Sequence, residues 1–240
     1  ARMSSSRLPG KVLLPICDRP MLFYLVDRLR WSSEIAEIVV ATSLNSRDDS
    51  IEGFCHAEGL KCFRGSEDDV LSRVFGAAEQ FNFGQVLRLT GDCPLIDPYI
   101  LDEQVRYFSS QLLDYCYLVQ SYPEGICSDL ISFSALTIAH NYARKEFERE
   151  HVTPYFHARR EEFKVVGIEN ASDYSTYRFV VDEPVDFEVV SRIIENLYEP
   201  YAKPFTMADI KKFIDDHPEI FQLNHHIVRN EKYDVFAEEL

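Results

Sequence analysis

The sequence has no run approaching the roughly 18 apolar residues that a membrane-spanning helix needs. Its first residues also lack the apolar stretch of a secretion signal. Positive charge is scarce, with 25 Lys and Arg against 40 Asp and Glu and a formal net charge of −15. That balance excludes nonspecific attachment to nucleic acid or to an anionic membrane, because both rely on basic patches to neutralise phosphates. There is no CxxC pair, so Cys17, Cys55, Cys62, Cys93, Cys116 and Cys127 read as reduced thiols in or near a core. There is also no internal repeat and no low-complexity linker to divide the chain. The expected location is the cytoplasm.

What is present is enough for one sizeable core, in 240 residues of which 46% are hydrophobic and 13% aromatic. Met21 to Arg30 places apolar residues at helical spacing, and Ile35 to Thr42 follows as a buried strand. Asp69 to Phe81 and then Gln85 to Thr90 repeat that helix-then-strand order. Asp97 and Pro98 start a further helix through Phe108, as cap and first helical residue. Strands are expected at Tyr115 to Ser121, Phe163 to Glu169 and Arg178 to Val181. Helices are expected near Phe133 to Tyr142, at Glu146 to Arg159 and at Pro184 to Tyr198. This alternation predicts an α/β fold with a largely parallel sheet. Residues 1–205 form the domain, and 206–240 an appendage packed on it, with a capped helix from Thr206 and then a polar stretch. Tyr198, Tyr201 and Phe205 either cover the domain or form a homodimer contact.

Three features carry chemistry. Arg2, Ser4, Ser5, Ser6, Arg7 and Lys11 crowd hydroxyls and cations into the first eleven residues, a composition suited to holding phosphates in an otherwise acidic protein. It is not a Walker A loop, since Val12 follows Lys11. Asp92 stands just past a predicted strand, where open α/β sheets bind their ligands. Asp182 ends another predicted strand before a proline-started helix. Two carboxylates converging on a phosphate loop suit Mg²⁺, which binds through one or two carboxylates plus phosphate and water oxygens. Asp186 lies in the first turn of that helix, where the helix dipole favours an acid, and reads as a first-turn acid, not a metal ligand. His225-His226 has no second ligand cluster at useful spacing and reads as polar tail.

Five ordered segments carry a resemblance. They are Arg2-Met-x-x-x-Arg7-Leu-Pro-Gly-Lys11, Gly65-Ser-Glu-Asp-Asp-Val-Leu71, Arg88-Leu-Thr-Gly-Asp92-Cys-Pro-Leu-Ile-Asp97, Arg149-Glu-His151-Val-Thr-Pro-Tyr155 and Val181-Asp-Glu-Pro-Val-Asp-Phe187. Over essentially the whole chain, the sequence resembles the cytidylyltransferases. The resemblance is closest to the spore-coat polysaccharide biosynthesis protein F family, and more distant to synthetases of CMP-activated octulosonic and nonulosonic acids. It implies a three-layer α/β/α Rossmann-like nucleotidyltransferase fold with a predominantly parallel mixed sheet. It implies CTP and a small acidic acceptor as substrates, and Mg²⁺ as cofactor.

Residue by residue, the resemblance assigns Arg2 and Lys11 to the triphosphate and Asp92 and Asp182 to the metal. It places Gly65, Ser66 and Thr42 near the base, and His151, Tyr155 and Asp129 near the acceptor. Ser4 and Cys127 depart from the family pattern, standing where relatives have Gly and often an acid. Relatives also carry an apolar strand just before the Ala-Arg-Met motif, whereas this sequence starts at Ala1. The expectation is therefore a loop that lacks its leading strand.

Overall fold

The computed structural model describes residues 1–229. After the N-terminal loop, a 3-10 turn at Lys11–Leu13 leads into a small hairpin of β1 (Pro15–Ile16) and β2 (Arg19–Pro20). Helix α1 (Met21–Leu29) follows, almost wholly buried, and strand β3 (Val39–Ser43) begins four residues later than the sequence predicts. Next come α2 (Asp49–Ala57), β4 (Lys61–Gly65), α3 (Val70–Gln80) and β5 (Gln85–Arg88). Asp69 caps α3 by accepting from the Ser72 amide at 2.9 Å. Helix α4 (Pro98–Gln111) starts at Pro98, and the Asp97 carboxylate accepts from the Tyr99 amide at 3.0 Å. That is the cap expected from the sequence.

Strands β6 (Tyr115–Leu118) and β7 (Asp129–Ser132) follow, then helix α5 (Phe133–Tyr142). A single helix was expected from Glu146 to Arg159, but two short ones form, α6 (Glu146–His151) and α7 (Pro154–His157). Two features break it. Val152 takes a positive φ of 69°, and Pro154 has no N–H to donate. Strand β8 (Val165–Ile168) precedes helix α8 (Pro184–Leu197). Arg178 to Val181 was expected as a strand, yet it pairs only through an isolated bridge between Arg178 and Glu124. Two tail helices complete the described chain. These are α9 (Met207–Asp216), with a Thr206–Asp209 capping box, and α10 (Pro218–Asn224), which forms where a polar stretch without periodicity is expected. Residues 230–240 of the expected appendage lie outside the described residues.

The main strands form two ladders. β3 and β4 pair in parallel, and a mixed sheet has the order β5-β7-β6-β8, with β5/β7 and β6/β7 antiparallel and β6/β8 parallel. Side chains alternate across the mixed sheet, as the two-residue strand period requires. Tyr115 and Ile131 face a cluster under α3, α5 and α7, whereas Cys116 and Leu130 face Phe108 of α4. Helices thus cover both faces of a central sheet. On the α1 side, Met21, Leu25, Val40, Val181, Ile193 and Ile210 belong to the largest core cluster.

The tail is bound to this frame. Asp97 accepts from the Met207 amide at 2.7 Å, while Arg28, 1% exposed, donates to the Ile96 and Phe205 carbonyls at 2.7 Å and lies over the Phe205 ring. Tyr198 meets Tyr24 edge-on, whereas Tyr201 is 98% exposed. Of the three aromatic residues left open by the sequence, two therefore cover the domain. Among the described residues, no helix is long and apolar enough to cross a membrane.

Candidate active site

The N-terminal loop is held by its neighbours. The Ala1 nitrogen donates to the Ala41 carbonyl at 3.0 Å, and the Met3 amide to Asp48 Oδ1 at 2.8 Å. Asp48 is 2% exposed, and its other oxygen accepts from Thr42 Oγ1, the Ser43 amide and Ser43 Oγ at 2.9, 3.0 and 2.6 Å. Burial would raise the Asp48 carboxyl pKa, but donors from Ser43, Met3 and Thr42 hold it below the usual carboxylate value. Arg2 reaches the Glu67 carbonyl at 2.8 Å. Gly10 turns the chain with a φ of 72°, and a Cβ there would stand 3.1 Å from the Met3 methyl carbon. The turn after Gly10 sends Lys11 inward.

Lys11 is the centre of the site. Its ammonium donates to Asp92 Oδ2 at 2.8 Å, Asp182 Oδ1 at 2.9 Å and the Val181 carbonyl at 2.6 Å, which uses all three of its hydrogens. Burial alone would depress the Lys11 pKa, but the Asp92 and Asp182 carboxylates raise it above the ordinary lysine value. Asp92 is correspondingly lowered, since Lys11 outweighs the upward push of burial. Asp182 Oδ2 also meets Arg7 at 3.1 Å and Arg178 at 3.5 Å.

Backbone contacts bring the two acids together. The Val181 amide donates to the Asp92 carbonyl at 2.9 Å, and Phe179 and Val180 donate to the Glu124 carbonyl. Gly125 makes this approach possible. It has a φ of 97°, and a Cβ there would lie 2.3 Å from the Val180 nitrogen. Asp186, expected as a first-turn acid, is fully buried and accepts from Arg178, the Asp182 and Glu183 amides and Asn224.

The oxygen set of Asp92, Asp182 and the Val181 carbonyl, gathered around one cationic nitrogen, suits a hard cation such as Mg²⁺. Among the described residues, no group of three His, Cys, Asp or Glu side chains could hold a metal ion. A metal here would complete its shell with phosphate and water oxygens.

A cleft of about 2210 Å³ opens over the site, well beyond the several hundred Å³ that a typical ligand pocket needs. Part of it is an apolar groove between the ladders of β3 and β5, lined by Leu25, Leu29, Val40, Ala77 and Val86. The polar part contains Arg2, Ser4, Ser5, Arg7, Lys11, Asp92 and Asp182 together, with Asp129 and His151 further along. Thr42, Gly65 and Ser66 do not line it. Thr42 is spent on Asp48, Gly65 pairs with Ser43 in the β3/β4 ladder, and the Ser66 carbonyl accepts from Arg73.

Tyr155 was expected near the acceptor, but it is 3% exposed and packs beneath Arg159 and against Phe156 and Phe163. The break before α7 turns its ring into the core. Asp129 lines the cleft, with one oxygen accepting from Arg88 at 2.8 Å and the other from Tyr115 at 2.7 Å. Cys127 sits 3.6 Å from the Cys93 sulfur, so a thiol pair lies beside Asp92.

Sequence reasoning gave no role to Asp48, Arg73, Tyr117, His157 or Arg160. Asp48 follows Asn45-Ser-Arg, with the cap-like composition of a turn, and nothing local marks it as the anchor of a loop 45 residues away.

The chain belongs to the cytidylyltransferase family, whose profile matches residues 1–231. It is 34% identical over 206 residues to the spore coat polysaccharide biosynthesis protein SpsF of Bacillus subtilis, covering 83% of this chain and 85% of that one. Among solved structures it resembles a cytidylyltransferase from Leptospira borgpetersenii, with a TM-score of 0.88 and 33% identity over 95% of this chain and 96% of the other. It shares the fold of a CMP:2-keto-3-deoxy-manno-octonic acid synthetase solved with CTP, at a TM-score of 0.62 and 18% identity over 81% and 95% of the two chains.

Proposed function

We propose that this protein transfers the cytidylyl group of CTP to an acidic sugar or similar small acceptor for surface polysaccharide or glycan synthesis, as a cytoplasmic enzyme. The observation that carries the reading is the convergence of Lys11, Asp92 and Asp182 beneath the N-terminal loop. An acceptor oxygen attacks the α-phosphorus in line, the bond from that phosphorus to the β-phosphate oxygen breaks, and pyrophosphate leaves with the electron pair. The acceptor hydroxyl gives up its proton to solvent water. No protein nucleophile is needed, so the enzyme contributes positioning and electrostatic stabilisation.

Arg2, Arg7 and the Ser4 and Ser5 backbone bind the triphosphate, and Lys11 stabilises charge developing at the reacting phosphate. Asp92 and Asp182 would hold Mg²⁺, which supplies neutralisation of phosphate charge when bound. Lys11 now occupies the position between these two acids, so it must turn from at least one of them to reach a phosphate.

Pyrophosphate release with each of the four nucleoside triphosphates, Mg²⁺ and a panel of acceptors tests the reading. Release with CTP and a sugar acid is expected. Release with GTP or UTP and a sugar phosphate would replace it with transfer of another nucleotide on the same fold. Tight CTP binding without turnover would make the protein a nucleotide-binding domain that has lost catalysis.

A further inference from the structure

Beyond Asp129 the cleft floor carries a directional hydrogen-bond chain. Arg88 donates to one oxygen of Asp129 and Tyr115 Oη to the other. Because the Tyr115 proton is committed to Asp129, His157 Nε2, 3.3 Å away, is the donor to Tyr115 Oη. Arg160 Nη2, which can only donate, stands 3.2 Å from Nδ1 of His157, so Nδ1 is the acceptor. The same Nη2 donates to Tyr117 Oη at 2.7 Å. His157 is thus a neutral imidazole that orients Arg160 without cancelling its charge. Burial, and then Arg160 itself, push the His157 pKa below its ordinary value, in keeping with that wiring.

The cluster is built from packed parts. Tyr115 and Tyr117 stack at 5.5 Å, and the His157 ring meets both edge-on. Gly167 in β8 leaves room for Tyr117, since a Cβ there would come within 3.1 Å of the phenol oxygen. Arg160 itself is exposed at the cleft rim. In a chain with 40 acids it forms no ion pair among the described residues, and its Nε and Nη1 hydrogens make no bond there. A cation so oriented, with donors to spare beside two aromatic rings, suits the charged group of a small polyol.

We propose that Arg160, held by Tyr117 and His157, receives a carboxylate or phosphate on the acceptor and so selects charged acceptors over neutral ones. This rests on the transfer reading above. The test is calorimetry on the protein loaded with Mg²⁺ and a CTP analogue whose α–β bridge cannot be cleaved, titrated with sugar acids of six to nine carbons, the matching sugar phosphates and the uncharged sugars. A charged ligand should bind at least about tenfold tighter than its neutral counterpart, as one charge-assisted hydrogen bond would give. Whether the acid or the phosphate shows that preference identifies the anion.

Arg160→Gln should abolish the preference, Arg160→Lys should restore part of it, and CTP affinity should stay within about twofold of the wild type in both, for lack of any lost contact. Unchanged discrimination in Arg160→Gln, or no preference for charge in the wild type, overturns the proposal. Turnover separates the two readings. Pyrophosphate release as efficient with a neutral acceptor as with its charged counterpart sinks the role of Arg160 and leaves the transfer reading standing. An Arg160-dependent charge preference without any release does the reverse.

Discussion

Two charged clusters lie side by side in this molecule, each a basic side chain held between two acids. Arg178 with Glu124 and Asp186 is the more enclosed, since of these three only Glu124 touches the cleft. Arg178 is 6% exposed and Asp186 0%, and the donors of Arg178 meet Asp186 at 2.9 and 3.0 Å, with Glu124 accepting another. Lys11 with Asp92 and Asp182 has comparable bonds, yet all three line the cleft. Asp182 belongs to both clusters through its contact with Arg178. Charge pairing alone therefore does not mark a site. What separates the two is whether a ligand can compete for the bonds.

The comparison can be broken by substitution. Arg178→Met leaves Glu124 and Asp186 buried without a counter-ion and should destabilise the fold by about 3–5 kcal/mol, measured by urea unfolding. A loss under about 1 kcal/mol, the range of exposed pairs, would mean that the inner cluster is not structural. Next in size is Gly125→Ala, which drives a methyl group into the Phe179–Val180 backbone. It should cost about 1–3 kcal/mol from backbone strain and should also reduce turnover, because that segment carries Asp182 to Lys11. Unchanged turnover would separate this turn from the site.

Asp48→Asn removes acceptor capacity beneath the loop and should cost about 1–3 kcal/mol in stability and raise KM for CTP. A shift in kcat alone would contradict a role in holding the loop. The smallest effect is on pH dependence. Asp48 and Asp186, held by the donors described above, are depressed in the fold, so their contribution is complete above about pH 3.9, the unfolded value, and is lost as the pH falls through their folded values. Glu124, raised by burial, acts in the opposite sense. Unfolding midpoints should hold near neutrality and decline below about pH 4.

Much of this was legible in the sequence, for reasons that differ by element. Helices α1 and α3 announced themselves through apolar spacing, and Asp97-Pro98 and Thr206 through cap chemistry, while α5 and α8 form within a residue of their expected bounds. Strand β7 did not, although it is central to the mixed sheet, because Asp129-Leu-Ile-Ser132 is too short to show a period. Arg178 to Val181 looked like a strand through its β-branched residues, but its backbone bonds go to the Glu124 turn and to Asp92. Lys11, Asp92 and Asp182 were found through position and chemistry. The Tyr115–His157–Arg160 chain was hidden because its members come from β6 and from the segment around α7, and only the break at Val152 and Pro154 brings that segment round. The same break explains why Tyr155, in a matching motif, ends in the core.

The most direct test is Lys11→Ala, with turnover on CTP and the unfolding midpoint measured on the same preparation. The expected result is a fall in kcat of about 10²-fold or more, as for loss of one preorganised donor, with a smaller loss of stability than in Arg178→Met. A near-wild-type kcat, or a collapse of the fold matching that of Arg178→Met, would contradict the assignment of the cleft-lining cluster as the active site.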